Sequence, residues 1–216
     1  MVEIQGKIFV RPLLLDSRAE VPSITNVLTT LWKLPMANLW KRPFWEVIAD
    51  GQLTAERIRA NAMCGYACPE RPGRTHHYLL CLAARFLYGQ LESWTSAGDL
   101  VTKIWTVTPP PQYTRPVWGL ICIATAYALD RARCYLFKRT ALIHRPPSAY
   151  LGWKAGAHAV EQFWAVLKYT KDRLPAGSHD HATLPILHWN IHRASWDLSS
   201  AYQELQETNS LSQDMV

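Results

Sequence analysis

Leu151-Gly152-Trp153-Lys154-Ala155-Gly156-Ala157-His158-Ala159-Val160-Glu161-Gln162-Phe163-Trp164-Ala165-Val166-Leu167 is the stretch from which the fold of this chain is read. Trp153, Ala157, Val160, Trp164 and Leu167 recur at alternating steps of four and three, which puts them on one face of a helix. Leu174-Pro175 ends it, because the residue before a proline is pushed out of the helical region. Upstream, Trp118 to Phe137 contains no proline and acquires charge only toward its end, so it reads as a core helix with a basic exit. Pro146-Pro147 separates the two.

Working outward, Pro185 to Leu205 reads as a last helix carrying Leu187, Ile191, Trp196 and Leu198, followed by a polar tail over 206–216. On the other side, Thr75 to Leu91 has the apolar density of a buried helix, and Leu53 to Met63 and the stretch from Pro22-Ser23 to Trp32 read as shorter ones. Cys68-Pro69-Glu70-Arg71-Pro72-Gly73 reads as a loop. Two segments read as strands: Val2 to Val10, where apolar and polar residues alternate, and Leu100 to Val107, closed by Pro109-Pro110-Pro111. The expected architecture is therefore α+β: a mostly helical single domain over 1–205, with a few short strands in the N-terminal half.

Composition supports a folded globule. The 216 residues are 49% hydrophobic and 19% charged, enough apolar surface for a sizeable core. A formal net charge of +6 permits contact with nucleic acid or an acidic protein surface without choosing between them. Arg11-Pro12 splits the apolar residues near the N-terminus, so no signal peptide is expected. The longest weakly polar run, Trp118 to Leu129, falls well short of the roughly 20 residues that span a bilayer. Five cysteines, an odd number with no secretory signal, fit a reducing compartment.

Two aromatic-glycine pairs carry the strongest binding signal, Trp118-Gly119 and Gly152-Trp153. A tryptophan beside a glycine presents a rigid apolar plane next to unshielded backbone, which suits it to a pocket on another protein. The same pairs equally serve as core anchors at a close helix packing. Three stretches together resemble the P-zero proteins of poleroviruses and enamoviruses, plant-virus suppressors of RNA silencing. They are Trp118-Gly119-Leu120-Ile121-Cys122, Gly152-Trp153 running into Ala157-His158-Ala159-Val160-Glu161-Gln162-Phe163, and Asp180-His181-Ala182-Thr183-Leu184-Pro185-Ile186-Leu187-His188. The likeness covers about Trp118 to Tyr202.

The resemblance implies an F-box-like adaptor in the host cytoplasm, with one surface for the Skp subunit of a cullin ubiquitin ligase and another for Argonaute. Trp118, Gly119, Gly152 and Trp153 are the residues it implies for Argonaute. The family's F-box-like signature is Leu-Pro, an aliphatic residue four after the Leu, and a later Pro. Here Leu34-Pro35 has Asn38 in the aliphatic slot, Leu39 one residue late and Pro43 early, which leaves Leu34, Pro35 and Leu39 as the best match. Near Val107-Thr108-Pro109-Pro110-Pro111 the Leu is absent, and Leu184-Pro185 has His188 in that slot.

Other chemistries are weaker in the sequence. Cys64-x3-Cys68 followed by His76-His77 and Cys81 offers zinc ligands, but the spacing is not that of a standard finger. Cys81 falls inside an apolar helical run, so the thiols are expected to be structural, with no cofactor. A zinc-stabilised interaction module remains an alternative. His188 and His192 are four apart, but Trp189 stands where a zinc protease needs its Glu. His179, Asp180 and His181 read as a solvated loop, and no phosphate loop or nucleophile elbow occurs, so no enzyme is expected. Arg131, Arg133, Lys138, Arg139 and Arg145, with Tyr135 and Phe137 among them, make direct binding of small RNA the runner-up. The bland reading of that cluster is the basic end of a helix.

Overall fold

In the computed structural model the described residues are 3–4, 7–8, 24–49, 64, 68, 73–137 and 149–184. Their helices are α1 (Ile24–Trp32), α2 (Asn38–Ile48), α3 (Leu82–Thr95), α4 (Leu100–Trp105), α5 (Arg115–Phe137), α6 (Ala149–Lys171) and α7 (His179–Thr183), with a π-helical turn at His76–Leu80 just before α3. The expected helix over 53–63, the Pro146-Pro147 break, the helix over 185–205 and the 206–216 tail lie outside the described residues.

Helix α5 is the centre of the packing. Thr114 opens it, its Oγ1 accepting the Val117 N–H at 3.4 Å, and Pro116 sits in the first turn, where a missing N–H costs no hydrogen bond. Val117, Trp118, Leu120, Ile121, Cys122, Ile123, Ala124 and Ala126 are all buried, so this part of the helix has no solvent face. The buried Thr125 hydroxyl stays satisfied by donating to the Ile121 carbonyl at 2.8 Å. Helices α6 and α2 pack most extensively on α5, and α3 packs against α6 and touches α5. There Trp94 lies 4.7 Å from Trp164 and 6.2 Å from Phe163, ring centre to ring centre.

The buried stripe of α6 runs through Gly152, Ala155, Gly156, Ala159, Phe163, Trp164 and Leu167. Small residues fill its first half and permit close backbone approach; large ones fill its second half. Trp153 and Ala157, expected on the buried face, are only half-buried, because the stripe is centred on Ala155, Ala159 and Phe163.

The α+β expectation is overturned: the described residues are mostly helical and contain no sheet layer. Glu3–Ile4 and Lys7–Ile8 pair antiparallel, but two-residue strands are too short to form a layer. The expected strand over Leu100 to Val107 is α4. Its branched and aromatic residues favour strands locally, but burial of Leu100, Ile104 and Trp105 follows helical spacing and prevails. Trp105 Nε1 donates to the Tyr88 hydroxyl at 2.9 Å, which in turn donates to the Tyr78 carbonyl at 2.6 Å. A Schellman turn closes α4: Thr108 N–H reaches Lys103 O at 2.9 Å and Val107 N–H reaches Ile104 O at 3.2 Å. Val107 occupies its left-handed position at φ 54°. The expected continuous helix from Thr75 to Leu91 is also corrected. It breaks at Cys81, whose φ −58° and ψ 141° are extended.

Candidate functional site

The corner between α1 and α2 holds the Leu34-Pro35-Leu39 match. Leu34 N–H bonds to Leu31 O at 3.2 Å and Met36 N–H to Leu34 O at 2.8 Å, a tight reversal that turns Leu34 and Met36 inward. Pro35 is left outside. Leu39, in the first turn of α2, is 65% exposed, and Trp32, the last residue of α1, is 49% exposed. Lys41 fixes the corner by donating from Nζ to the Trp32 carbonyl at 2.8 Å, where a cation also suits the helix C-terminus. The three matched residues therefore separate: Leu34 is core, while Pro35 and Leu39 lie on the surface. Pro43 is buried inside α2.

The two aromatic-glycine pairs also part company. Trp118 is fully buried, its Nε1 donating to the Lys103 carbonyl at 3.0 Å and its ring centre 5.6 Å from that of Tyr113. Gly119 lies against Leu31 and Leu34. Trp118 and Gly119 thus pack in the core, and a partner reaches them only if the core opens. Gly152 is buried as well. Trp153 is half-buried at the start of α6, stacked on exposed Tyr150 at 6.2 Å, with Lys154 Nζ 5.0 Å from its ring centre. This aromatic and cationic ledge is the part of the motif that faces outward.

A third constellation is assembled by the break before α3. Cys64, Cys68, His76 and Cys81 are all buried and place their donor atoms within 4.8 Å of one another. Cys64 Sγ and Cys81 Sγ stand 3.7 Å apart. The π-helical turn explains how His76 joins Cys81. In an uninterrupted α-helix positions five apart point about 140° away from each other; here the Cys81 N–H reaches the His76 carbonyl at 2.7 Å, a wider turn that brings the two side chains together. Arg74 ties this turn to the end of α2, donating from Nη1 to the Val47 carbonyl at 2.9 Å. Hydrogen bonds from Cys64 and Cys81 push the Cys68 thiol far down, and the same contacts with burial push Cys81 far up. Burial and the Arg133 charge push neighbouring His77 down to about 3, so it is neutral at pH 7.

Ser178 Oγ caps α7 by accepting the His181 N–H at 3.1 Å, and Asp180 accepts from Thr114 Oγ1 at 3.0 Å, tying α7 to the start of α5. Of the basic cluster, Arg133 is paired with Asp130 at 2.8 Å and Arg131 is half-buried. Lys138, Arg139, Arg145, His188 and His192 lie outside the described residues.

No family model matches the chain, nor does any curated protein or solved structure. No helix among the described residues is long and apolar enough to cross a membrane.

Proposed function

We propose that the chain is a viral suppressor of host RNA silencing that works in the host cytoplasm by protein binding, as a non-enzymatic F-box-like adaptor that brings Argonaute to a Skp-containing ubiquitin ligase. The observation that carries the reading is the α1–α2 corner, where Trp32, Pro35 and Leu39 are exposed around the inward Leu34. Such a cluster on a helix start suits an apolar groove on a partner. The ledge of Tyr150, Trp153 and Lys154 at the start of α6 is a separate surface for the target. An adaptor requires two such surfaces, because both partners must be held at once.

Direct RNA binding is less favoured, since Arg133 is neutralised by Asp130 rather than left for phosphate. The deciding experiment is co-purification from leaf tissue with a silenced reporter. Recovery of Skp and Argonaute, with Argonaute protein falling while its messenger RNA is unchanged, is the expected result. Small RNA recovered without either protein overturns the adaptor reading in favour of RNA binding.

A further inference from the structure

We propose that Cys64, Cys68, His76 and Cys81 bind one zinc ion as a closed, structural site. Zinc held by cysteine thiolates at about 2.3 Å in a tetrahedron sets its sulfurs about 3.8 Å apart. The Cys64 and Cys81 sulfurs already stand at 3.7 Å. All four donor atoms lie within 4.8 Å of one another, close to the spacing a tetrahedral zinc requires.

Ligand chemistry selects the metal. Three sulfurs and one imidazole with no carboxylate are a soft set, matched to zinc rather than to magnesium or calcium, which take oxygen. All four donors come from protein, and all four residues are buried, Cys64 and Cys81 to 1% exposure. A catalytic zinc keeps one position open for water; this site has none to spare, so its role is to hold the fold. Binding releases thiol protons to solvent and leaves His76 neutral with one ring nitrogen on the metal.

The site also accounts for the interruption before α3. The π-helical turn and the extended Cys81 give up regular helix over a stretch whose sequence favours it, and they orient His76 and Cys81 toward Cys64 and Cys68. Zinc then fastens residues 64 and 68 to the start of α3, as a cross-link does in a reducing compartment where disulfides do not persist. All five cysteines are free.

The test uses the full chain purified without chelator. Elemental analysis is expected to give one zinc per chain, with Cys134→Ser unchanged and Cys68→Ser losing stoichiometric metal. Exchange of zinc for cobalt in the parent provides a readout that does not depend on any variant folding. Visible d–d bands of tetrahedral cobalt and a sulfur-to-cobalt charge-transfer band are expected, and His76→Cys should shift both as a thiolate replaces the imidazole. A folded chain that contains no metal and gives no cobalt spectrum overturns the proposal. So does full zinc retention in Cys68→Ser, iron or copper as the sole metal, or a Cys64–Cys81 disulfide in place of metal.

Discussion

A methyl group built on Gly119 in α5 would stand 2.7 Å from Leu34 Cδ1 and 3.1 Å from Leu31 Cδ2, so the α1–α2 corner rests on a position that has no side chain. The glycine of the Trp-Gly pair and the leucine of the Leu-Pro pair meet in one contact. In an exposed helix Gly→Ala gains about 1 kcal/mol. Here overpacking, at about 1–3 kcal/mol, opposes that gain. Gly119→Ala is therefore expected to destabilise by on the order of 1 kcal/mol. Leu34→Ala alone should cost about 2–5 kcal/mol through the cavity it leaves. In the double variant the added methyl enters the space vacated by Leu34, and the two effects should couple favourably by about 1 kcal/mol or more. Urea denaturation of the four proteins measures this; strict additivity would show that the two residues are not in contact.

The same contact changes how the recruiting surface is tested. Substituting Leu34 disturbs the core, so loss of binding in such a variant says nothing about a partner. Pro35 and Leu39 are the informative positions, because both are exposed. Pro35→Ala with Leu39→Glu should change stability by no more than about 0.5–1 kcal/mol yet abolish Skp binding while Argonaute still co-precipitates. Skp binding equal to that of the parent, at an unchanged melting temperature, would remove this corner from the adaptor reading.

Much of the helical core was legible. Trp118 to Phe137 reads as a buried helix because it holds no proline and gains charge only toward its end, and α5 covers it with one extra turn at its start. The strand expected over 100–107 misled because Val101, Thr102, Ile104 and Trp105 favour extended backbone locally, whereas packing of Leu100 and Ile104 one turn apart decided the outcome. Trp118 and Trp153 looked alike in the sequence and have opposite fates. Trp118 lies in an unbroken apolar run, while Trp153 stands at the edge of an amphipathic face beside Lys154. The proposed zinc ligands were legible as residue types but not as a buried cluster, since regular helix would have pointed His76 and Cys81 apart. Nothing in His76-His77-Tyr78-Leu79-Leu80 signals a π-helical turn.

Backbone strain gives a stability prediction independent of function. Ser96 ends α3 in the left-handed region, at φ 49° and ψ 31°, while its N–H bonds to the Glu92 carbonyl at 2.9 Å. A left-handed conformation costs an L-residue about 1–2 kcal/mol. Glycine avoids that cost but loses about 0.5–1 kcal/mol in unfolded-state entropy. Ser96 is exposed, so no packing is sacrificed. Ser96→Gly should therefore stabilise by on the order of 0.5 kcal/mol, read as a melting temperature roughly 1–2 °C higher. Val107→Gly relieves a similar strain at φ 54° but removes a partly buried side chain from the core, and its net effect should be smaller. A lower melting temperature for Ser96→Gly would show that its conformation is not strained.

Trp153 separates the target surface from the core most sharply when it is compared with Trp164 on the same helix. Trp164 is buried, with ring centres of Trp94 at 4.7 Å and Phe163 at 5.3 Å. Trp164→Ala should cost about 3–5 kcal/mol, enough to unfold a marginal domain. Trp153 is half-buried and leans on the exposed Tyr150, so its truncation should cost only about 1–2 kcal/mol, in proportion to the smaller area it hides. If the ledge is the Argonaute contact, the same change removes a rigid aromatic anchor and weakens binding by about 2 kcal/mol, roughly thirtyfold. The two quantities are measured together, melting temperature and Argonaute affinity, for Trp153→Ala, Lys154→Ala and Trp164→Ala. The expected pattern is a folded Trp153 variant with weakened binding, a folded Lys154 variant with a smaller loss, and a Trp164 variant that melts early. A Trp153 variant that melts near the parent and binds as well as the parent removes the ledge from the target surface. With Trp118 and Gly119 already in the core, neither aromatic-glycine pair would then provide an Argonaute contact.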